Sequence, residues 1–140
     1  MAFELSCGGI IFKDKKFLLL KYGWGHWGFV KGKIEKGEKI EETFFREAEE
    51  EAGLKRENLK IIEGFKEKIN YFYKKGGETI YKEVIYLLAE SNTFDVKLSY
   101  EHTDFAWLEY KECLDRITFE NDKRVLTKAH DFISQNLNSN

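Results

Sequence analysis

Glu47, Glu50 and Glu51 stand at positions i, i+3 and i+4 of a segment patterned as a helix, so their carboxyl groups project toward one side of the cylinder. Three carboxylates so close repel one another unless a positive group joins them. Hard oxygen donors at that density suit Mg2+, with Mn2+ as the second choice, better than a soft metal. The competing reading is a solvated acidic helix face, which a run of glutamates produces unaided. Arg46, four residues before Glu50, is spaced to clamp and orient a carboxylate without itself being a ligand. Upstream, Gly32 and Gly37 permit turns that side-chained residues resist, which brings a loop carbonyl at Gly32 toward a cation held by the helix.

The elements that must position these groups are legible in outline. In Ile40–Ala52 the apolar residues Phe44, Phe45, Ala48 and Ala52 share one stripe at about 100° per residue, and Gly53 stands where a left-handed cap ends a helix. The start is poorly marked, with Gly37 as the available cap and no Ser, Thr, Asp or Asn directly before the helix. Residues 8–12 and 17–22 are apolar β-rich runs separated by a charged turn, and residues 31–38 form a glycine-punctuated loop. Residues 59–73 alternate with Phe65, Ile69, Tyr71 and Tyr73 on one face, and Gly76-Gly77 turns the chain into residues 80–89, giving a long hairpin. A short strand at 105–107 and a final helix from an Asn121 cap, with Val125, Leu126, Ala129, Phe132 and Ile133 inward, complete the list. Residues 134–140 read as a polar tail that frays. Strands, helix, strands, helix is an α+β order, with helices flanking a mixed sheet.

Composition sets limits on function. The 140 residues make one domain, 1–140, large enough for a core without metal or disulfide staples. Cys7 and Cys113 lack the spacing of a zinc site and read as buried thiols. With 23 Lys and Arg against 25 Asp and Glu there is no basic footprint for a long nucleic acid, although a small polyanion at one pocket is compatible. No apolar run has the length to span a bilayer, and the expectation is a cytoplasmic monomer.

Counted from Gly32, the chain reads glycine, five residues, Glu38, seven residues, then Arg46, Glu47, Ala48 in an apolar slot, Glu50, Glu51, Gly53 and Leu54. This 32–54 segment resembles the signature of the Nudix hydrolase superfamily, in the loop-then-helix context the motif requires. The resemblance implies an α/β/α sandwich with a central mixed sheet, a metal site at Glu47, Glu50, Glu51 and the Gly32 carbonyl, and Arg46 as a positioning residue. It also implies hydrolysis of a phosphoanhydride, whose anionic oxygens repel water until divalent cations offset the charge.

Beyond the signature the chain is similar to the asymmetrical bis(5′-nucleosyl)-tetraphosphatases of animal and archaeal type. The similarity is carried by His26-Trp27 before Lys31-Gly32-Lys33, by Leu59 through Phe65 as LKIIEGF, by Ile69-Asn70-Tyr71, by Lys82-Glu83-Val84-Ile85-Tyr86, and by Tyr100-Glu101-His102 before Trp107-Leu108. It implies a dinucleoside polyphosphate substrate, diadenosine tetraphosphate, cut to ATP and AMP. Tyr71 matches an adenine-stacking tyrosine, and Phe119 falls where the second aromatic belongs; each has a plain core aromatic as its alternative. His26, Lys31 and Lys82 match positions that approach the phosphates. Glu101 matches a glutamate that joins the metal or serves as base, so Glu50, Glu51 and Glu101 all remain open as the proton acceptor. His102, its neighbour on a strand, points away from it toward a supporting or surface position. Val30 departs from the family's usual proline before Lys-Gly, a change that alters loop stiffness. Two other readings stand beside this one: a Nudix enzyme acting on nucleoside triphosphates or RNA 5′ ends, and a nucleotide-binding sensor without catalysis.

Overall fold

The computed structural model describes residues 2–137. Its strands are β1 (Ala2–Lys13), β2 (Lys16–Tyr22), β3 (Trp27–Gly28), β4 (Val30–Lys33), β5 (Leu59–Ile61), β6 (Glu67–Lys75), β7 (Glu78–Ser91) and β8 (His102–Glu109). The helices are α1 (Ile40–Ala52), α2 (Tyr110–Arg116) and α3 (Glu120–Asn136). All eight strands join one mixed sheet: β1 and β7 run parallel from Ala2↔Ile80 to Phe12↔Glu90, and the other pairings are antiparallel. On its other edge β1 meets β4 at residues 6–9 and β2 at residues 12–13. That central place explains why Ser6 through Phe12 are buried without a break.

Alternation along these strands sorts the apolar residues into two cores. Ile10, Phe12, Leu19, Val84, Tyr86 and Leu88 face α2 and α3, packing with Cys113, Val125, Leu126 and Ala129. Cys7, Ile11, Leu18, Leu20, Leu87 and Ala89 face α1, packing with Phe44, Ala48 and Ala52. Helices therefore cover both faces of the sheet, the α/β/α sandwich anticipated from the signature. Close approach of α1 depends on Gly9, where a Cβ would lie 2.0 Å from Phe44 Cε1. Gly53 ends α1 at φ 69°, and the N–H groups of Gly53 and Leu54 reach the carbonyls of Glu49 and Ala48.

Several expectations change. The N-cap of α1 is Lys39, not Gly37; its N–H donates to Glu42 Oε1 at 2.8 Å, so a glutamate two positions into the helix supplies the missing acceptor. Part of the anticipated loop at 31–38 is strand β4, because pairing with β1 satisfies its backbone. The run 59–73 is two strands, broken where Gly64 adopts φ 94° and lets Ile62 and Phe65 turn into the core. The Gly76-Gly77 hairpin forms as expected, both residues having positive φ. Helix α2 was not anticipated; it follows β8 directly and buries Cys113. Helix α3 is capped at Phe119, two residues earlier than the Asn121 expectation, and continues through Asn136. The rest of the tail expected to fray, 138–140, lies outside the described residues. Cys7 and Cys113 are free and buried, and no helix among the described residues is long and apolar enough to cross a membrane.

Phe44→Ala is expected to cost about 3–5 kcal/mol, read as a lower urea midpoint, because it removes a wholly buried ring from the α1 seam. Phe72→Ala, at a ring 61% exposed, should stay within about 0.5 kcal/mol of the parent.

Candidate functional site

One guanidinium organises the motif. Arg46 Nε donates to Glu38 Oε2 at 2.6 Å and Nη2 to Glu38 Oε1 at 3.0 Å, a two-pronged pair. Nη2 also reaches the Lys33 carbonyl at 2.9 Å, and Nη1 donates to Glu47 Oε2 at 2.7 Å. The i, i+4 partner Glu50 receives only a 3.4 Å contact, so the clamp anticipated for Glu50 acts chiefly on Glu38 and Glu47. Glu38 accepts further bonds from Thr43 Oγ1 and the Glu35 N–H, and these donors hold its carboxyl down at about 2. Strand β4, the following turn and α1 are thus joined through a single side chain.

Glu47 and Glu51 are buried side by side, each 8% exposed, while the Glu50 side chain is 58% exposed. The three carboxylates share a helix side without equal environments. Burial raises the Glu47 carboxyl against the opposing pull of Arg46. Burial, then the neighbouring Glu47, pushes Glu51 up to about 9, although its Oε1 accepts the Lys31 N–H at 3.2 Å. Two crowded acids at low dielectric share a proton or take a cation in its place. Gly32 makes this burial possible: a Cβ there would lie 2.0 Å from Glu47 Cδ and 2.1 Å from Oε2. Its backbone is paired strand without positive φ, so the turning role expected of Gly32 is replaced by bareness beside a carboxylate; Gly37, at φ 82°, does turn. Among the described residues no three acidic, His or Cys side chains are already drawn into metal-ligand spacing. The donor chemistry nonetheless fits a hard divalent ion: two buried acids short of countercharge, a third within one helical turn, and a cradle cleared of side chain.

The residues anticipated at a substrate come together. His26, Lys31, Tyr71, Lys82 and Phe119 all line one cavity of about 660 Å3, although they arise from separate segments of chain. Tyr71 and Lys82 are register partners on β6 and β7 and so share a face. Lys31 joins the two halves of the site, because its side chain lines the cavity while its N–H holds Glu51. Burial, with Lys31 adding repulsion, lowers both Lys82 and His26 from their usual values. Another cavity, of about 570 Å3 at Phe17, Tyr110 and His130, contains none of these residues.

Glu101 stays apart. It is exposed, and its carbonyl accepts the Gly23 N–H at 3.1 Å. The segment before it is nevertheless fastened to the end of α1, with Lys97 and Ser99 N–H groups on the Ala52 and Glu51 carbonyls. His102 is buried, with Nδ1 2.9 Å from Ser99 Oγ and its ring edge-on to Tyr22. Tyr22 and Asp122 are among the cavity residues that sequence reasoning missed. Tyr22 looked like a strand end; it stacks on His26 at 4.5 Å and 8°, and its hydroxyl donates to the Phe29 carbonyl. Asp122 looked like one more acidic residue in a first helical turn, where a carboxylate needs no further reason; it is 3% exposed and accepts the Tyr86 hydroxyl at 3.1 Å.

Comparison with known proteins places the chain among relatives of the same fold. Residues 3–129 match the family described as the NUDIX domain. The chain is 38% identical to the asymmetrical bis(5′-nucleosyl)-tetraphosphatase of Sus scrofa over 91% of its own length and 94% of that protein. It superposes on a C. elegans Ap4A hydrolase solved as a binary complex with a TM-score of 0.83 at 30% identity, covering 94% of this chain and 98% of that one. An RNA pyrophosphohydrolase of Pseudoalteromonas atlantica is 42% identical, but over 39% of this chain and 32% of its own length.

The raised Glu51 carboxyl fixes the sign of a pH effect. From the ordinary carboxylate range up to about 9 the folded chain holds a proton that the unfolded chain has released, so stability must fall as pH rises through that window. Urea melts in a chelator are expected to show this decline from pH 5 to 9 on the order of the window itself. Glu51→Gln, which has no charge to bury, should flatten it; an equal slope in both proteins would refute the assignment.

Proposed function

This chain belongs to the Nudix family, and from that membership we propose that it hydrolyses dinucleoside tetraphosphates asymmetrically, with diadenosine tetraphosphate cut to ATP and AMP. The observation that carries the reading is the joining of an aromatic and cationic cavity to the buried acids through Lys31. A base flanked by Tyr71 and Phe119, with His26, Lys31 and Lys82 along the way to Glu51, suits a nucleoside followed by a chain of phosphates.

Glu47, Glu50 and Glu51, the Gly32 carbonyl and, from its neighbouring segment, Glu101 would hold Mg2+, or Mn2+ in its place. When bound, such ions neutralise phosphate oxygens and lower the pKa of water at neutral pH. The chain's own work is positioning. Arg46 fixes Glu47 and ties it to Glu38 and the Lys33 carbonyl, so the acids keep their places when charged. Lys31 and Lys82 offset phosphate charge that a small neutral pocket would reject. Proton removal from the attacking water falls to a carboxylate of this group, Glu51, Glu50 or Glu101. The assembly reads as a cytoplasmic monomer with a small-molecule substrate and no requirement for membrane or long nucleic acid.

With Mg2+ and diadenosine tetraphosphate, chromatography is expected to show ATP and AMP in equal amounts, and 18O-labelled water should enter one product only. Faster turnover of a nucleoside triphosphate would overturn the substrate. Glu51→Gln should lower kcat by about 10²–10⁴-fold with the fold intact. Tyr71→Ala should act mainly on KM, by about 5- to 150-fold, the effect of losing about 1–3 kcal/mol of stacking.

A further inference from the structure

The cavity holds a charged group that neither the signature nor the phosphate chemistry employs. Asp122, at the start of α3, is 97% removed from solvent and yet lines the same space as Tyr71, Phe119 and His26. Its Oδ1 accepts the Tyr86 hydroxyl at 3.1 Å. Its Oδ2 makes no hydrogen bond among the described residues. Opposite it stands Gly28, where an added Cβ would come 3.3 Å from Oδ2, so β3 leaves that oxygen clear of side chain. A carboxylate oxygen that faces the cavity without a protein donor is attractive to an N–H that arrives with a ligand and displaces the water there.

We propose that Asp122 Oδ2 is the base-reading group of this pocket, accepting a hydrogen bond from the exocyclic 6-amino group of the adenine stacked beside it. The inference rests on the reading of the cavity as a nucleoside site. A purine between aromatic walls presents its edge, and the polar atoms of that edge must meet partners in a pocket from which water is displaced. With Oδ1 engaged by Tyr86, one acceptor is left over. One acceptor matches the single amino donor of adenine better than the parallel N1–H and 2-amino pair of guanine, which calls for both carboxylate oxygens. Burial raises the Asp122 carboxyl, and Lys31 and the Tyr86 hydroxyl oppose that rise. Position supports the assignment too: the Trp27 N–H donates to Thr118 Oγ1 at 2.8 Å and the Thr118 N–H to the Trp27 carbonyl at 3.2 Å, which fixes α3's first residues against β3.

The test compares diadenosine tetraphosphate with its analogue bearing two unsubstituted purines, which stack equally but carry no amino group. In the parent protein kcat/KM is expected to fall by at least about tenfold for the analogue, because the oxygen is left unpaired once the base displaces water from the cavity. Tyr86→Phe keeps Oδ2 and should keep that discrimination. Asp122→Ala combined with Tyr86→Phe, a pair that leaves no orphaned hydroxyl, should discriminate less than about twofold while remaining folded by thermal melt. A purely structural Asp122 would change stability without changing the ratio. Equal use of both compounds by the parent, a preserved ratio in the double variant, or preference for the diguanosine compound over the diadenosine one would each overturn the proposal. If the double variant does not fold, the parent's ratio decides. Absence of hydrolysis of any dinucleotide would count against the enzymatic reading; calorimetry with AMP and purine riboside monophosphate would then test Asp122 by itself, equal affinities overturning it and tighter AMP binding supporting it.

Discussion

Two acids buried against one another, Glu47 and Glu51, set the terms on which the rest of this structure is built. Unpaired carboxylates at low dielectric are among the least favourable arrangements a fold can contain. The chain offsets that with one guanidinium, one backbone N–H and one missing side chain: Arg46 on Glu47, Lys31 on Glu51, and Gly32 beside Glu47. Arg46 shares α1 with the acids, whereas Lys31 and Gly32 come from β4. Strand β4 is held by four register pairs to the central strand β1, and α1 is seated on that same strand by Phe44 over Gly9. Displacing either element would separate Glu51 from the Lys31 N–H and Glu47 from the space at Gly32, so sheet packing and site electrostatics are one constraint.

Strand β4 also settles how one site can use both sides of a sheet. Successive residues on a strand point to opposite faces. Lys31 turns toward the cavity walled by β6, β7 and α3, and Gly32 turns toward α1 and its acids. The backbone between them carries the N–H that Glu51 accepts. Two adjacent residues of β4 thus connect the aromatic cavity to the acidic cluster.

How much of this was visible in the residues follows from the range of each interaction. Spacing along one helix put Glu47, Glu50 and Glu51 on one side, and the apolar stripe gave α1 its limits to the residue. Spacing could not reveal that Glu50 faces water while its neighbours do not, because that depends on where β4 lies, a contact fourteen or more residues distant in sequence. Arg46 was assigned the i+4 carboxylate when its stronger bonds run to Glu38, eight residues back, for the same reason. The resemblance to a family supplied Tyr71, Phe119, His26 and Lys82, which no local pattern would have grouped; the cavity brings them together. Tyr22 and Asp122 belonged to neither source. One reads as a strand end and the other as an ordinary helix start, and their placement depends on partners outside those local patterns: Phe29 and His102 for the first, Tyr86 for the second.

Tyr22 shows what such long-range placement accomplishes. Its ring lies between the face of His26 and the edge of His102, both centroids at 4.5 Å, and its hydroxyl is spent on the Phe29 carbonyl. Desolvation keeps that hydroxyl protonated, and the nearby Glu51, Asp122 and Glu47 add to the effect. A tyrosine so enclosed contributes little as an acid or base and much as a spacer. It holds the strand that begins at His102, directly after Glu101, at a fixed distance from the cavity wall that begins at His26. The bulge in the β2–β8 pairing, where Lys21 meets Asp104 and Tyr22 meets His102, leaves Thr103 extra and so sets His102 opposite Tyr22. An irregularity in one ladder thus places Tyr22, at the cavity wall, against the residue that follows the outlying glutamate.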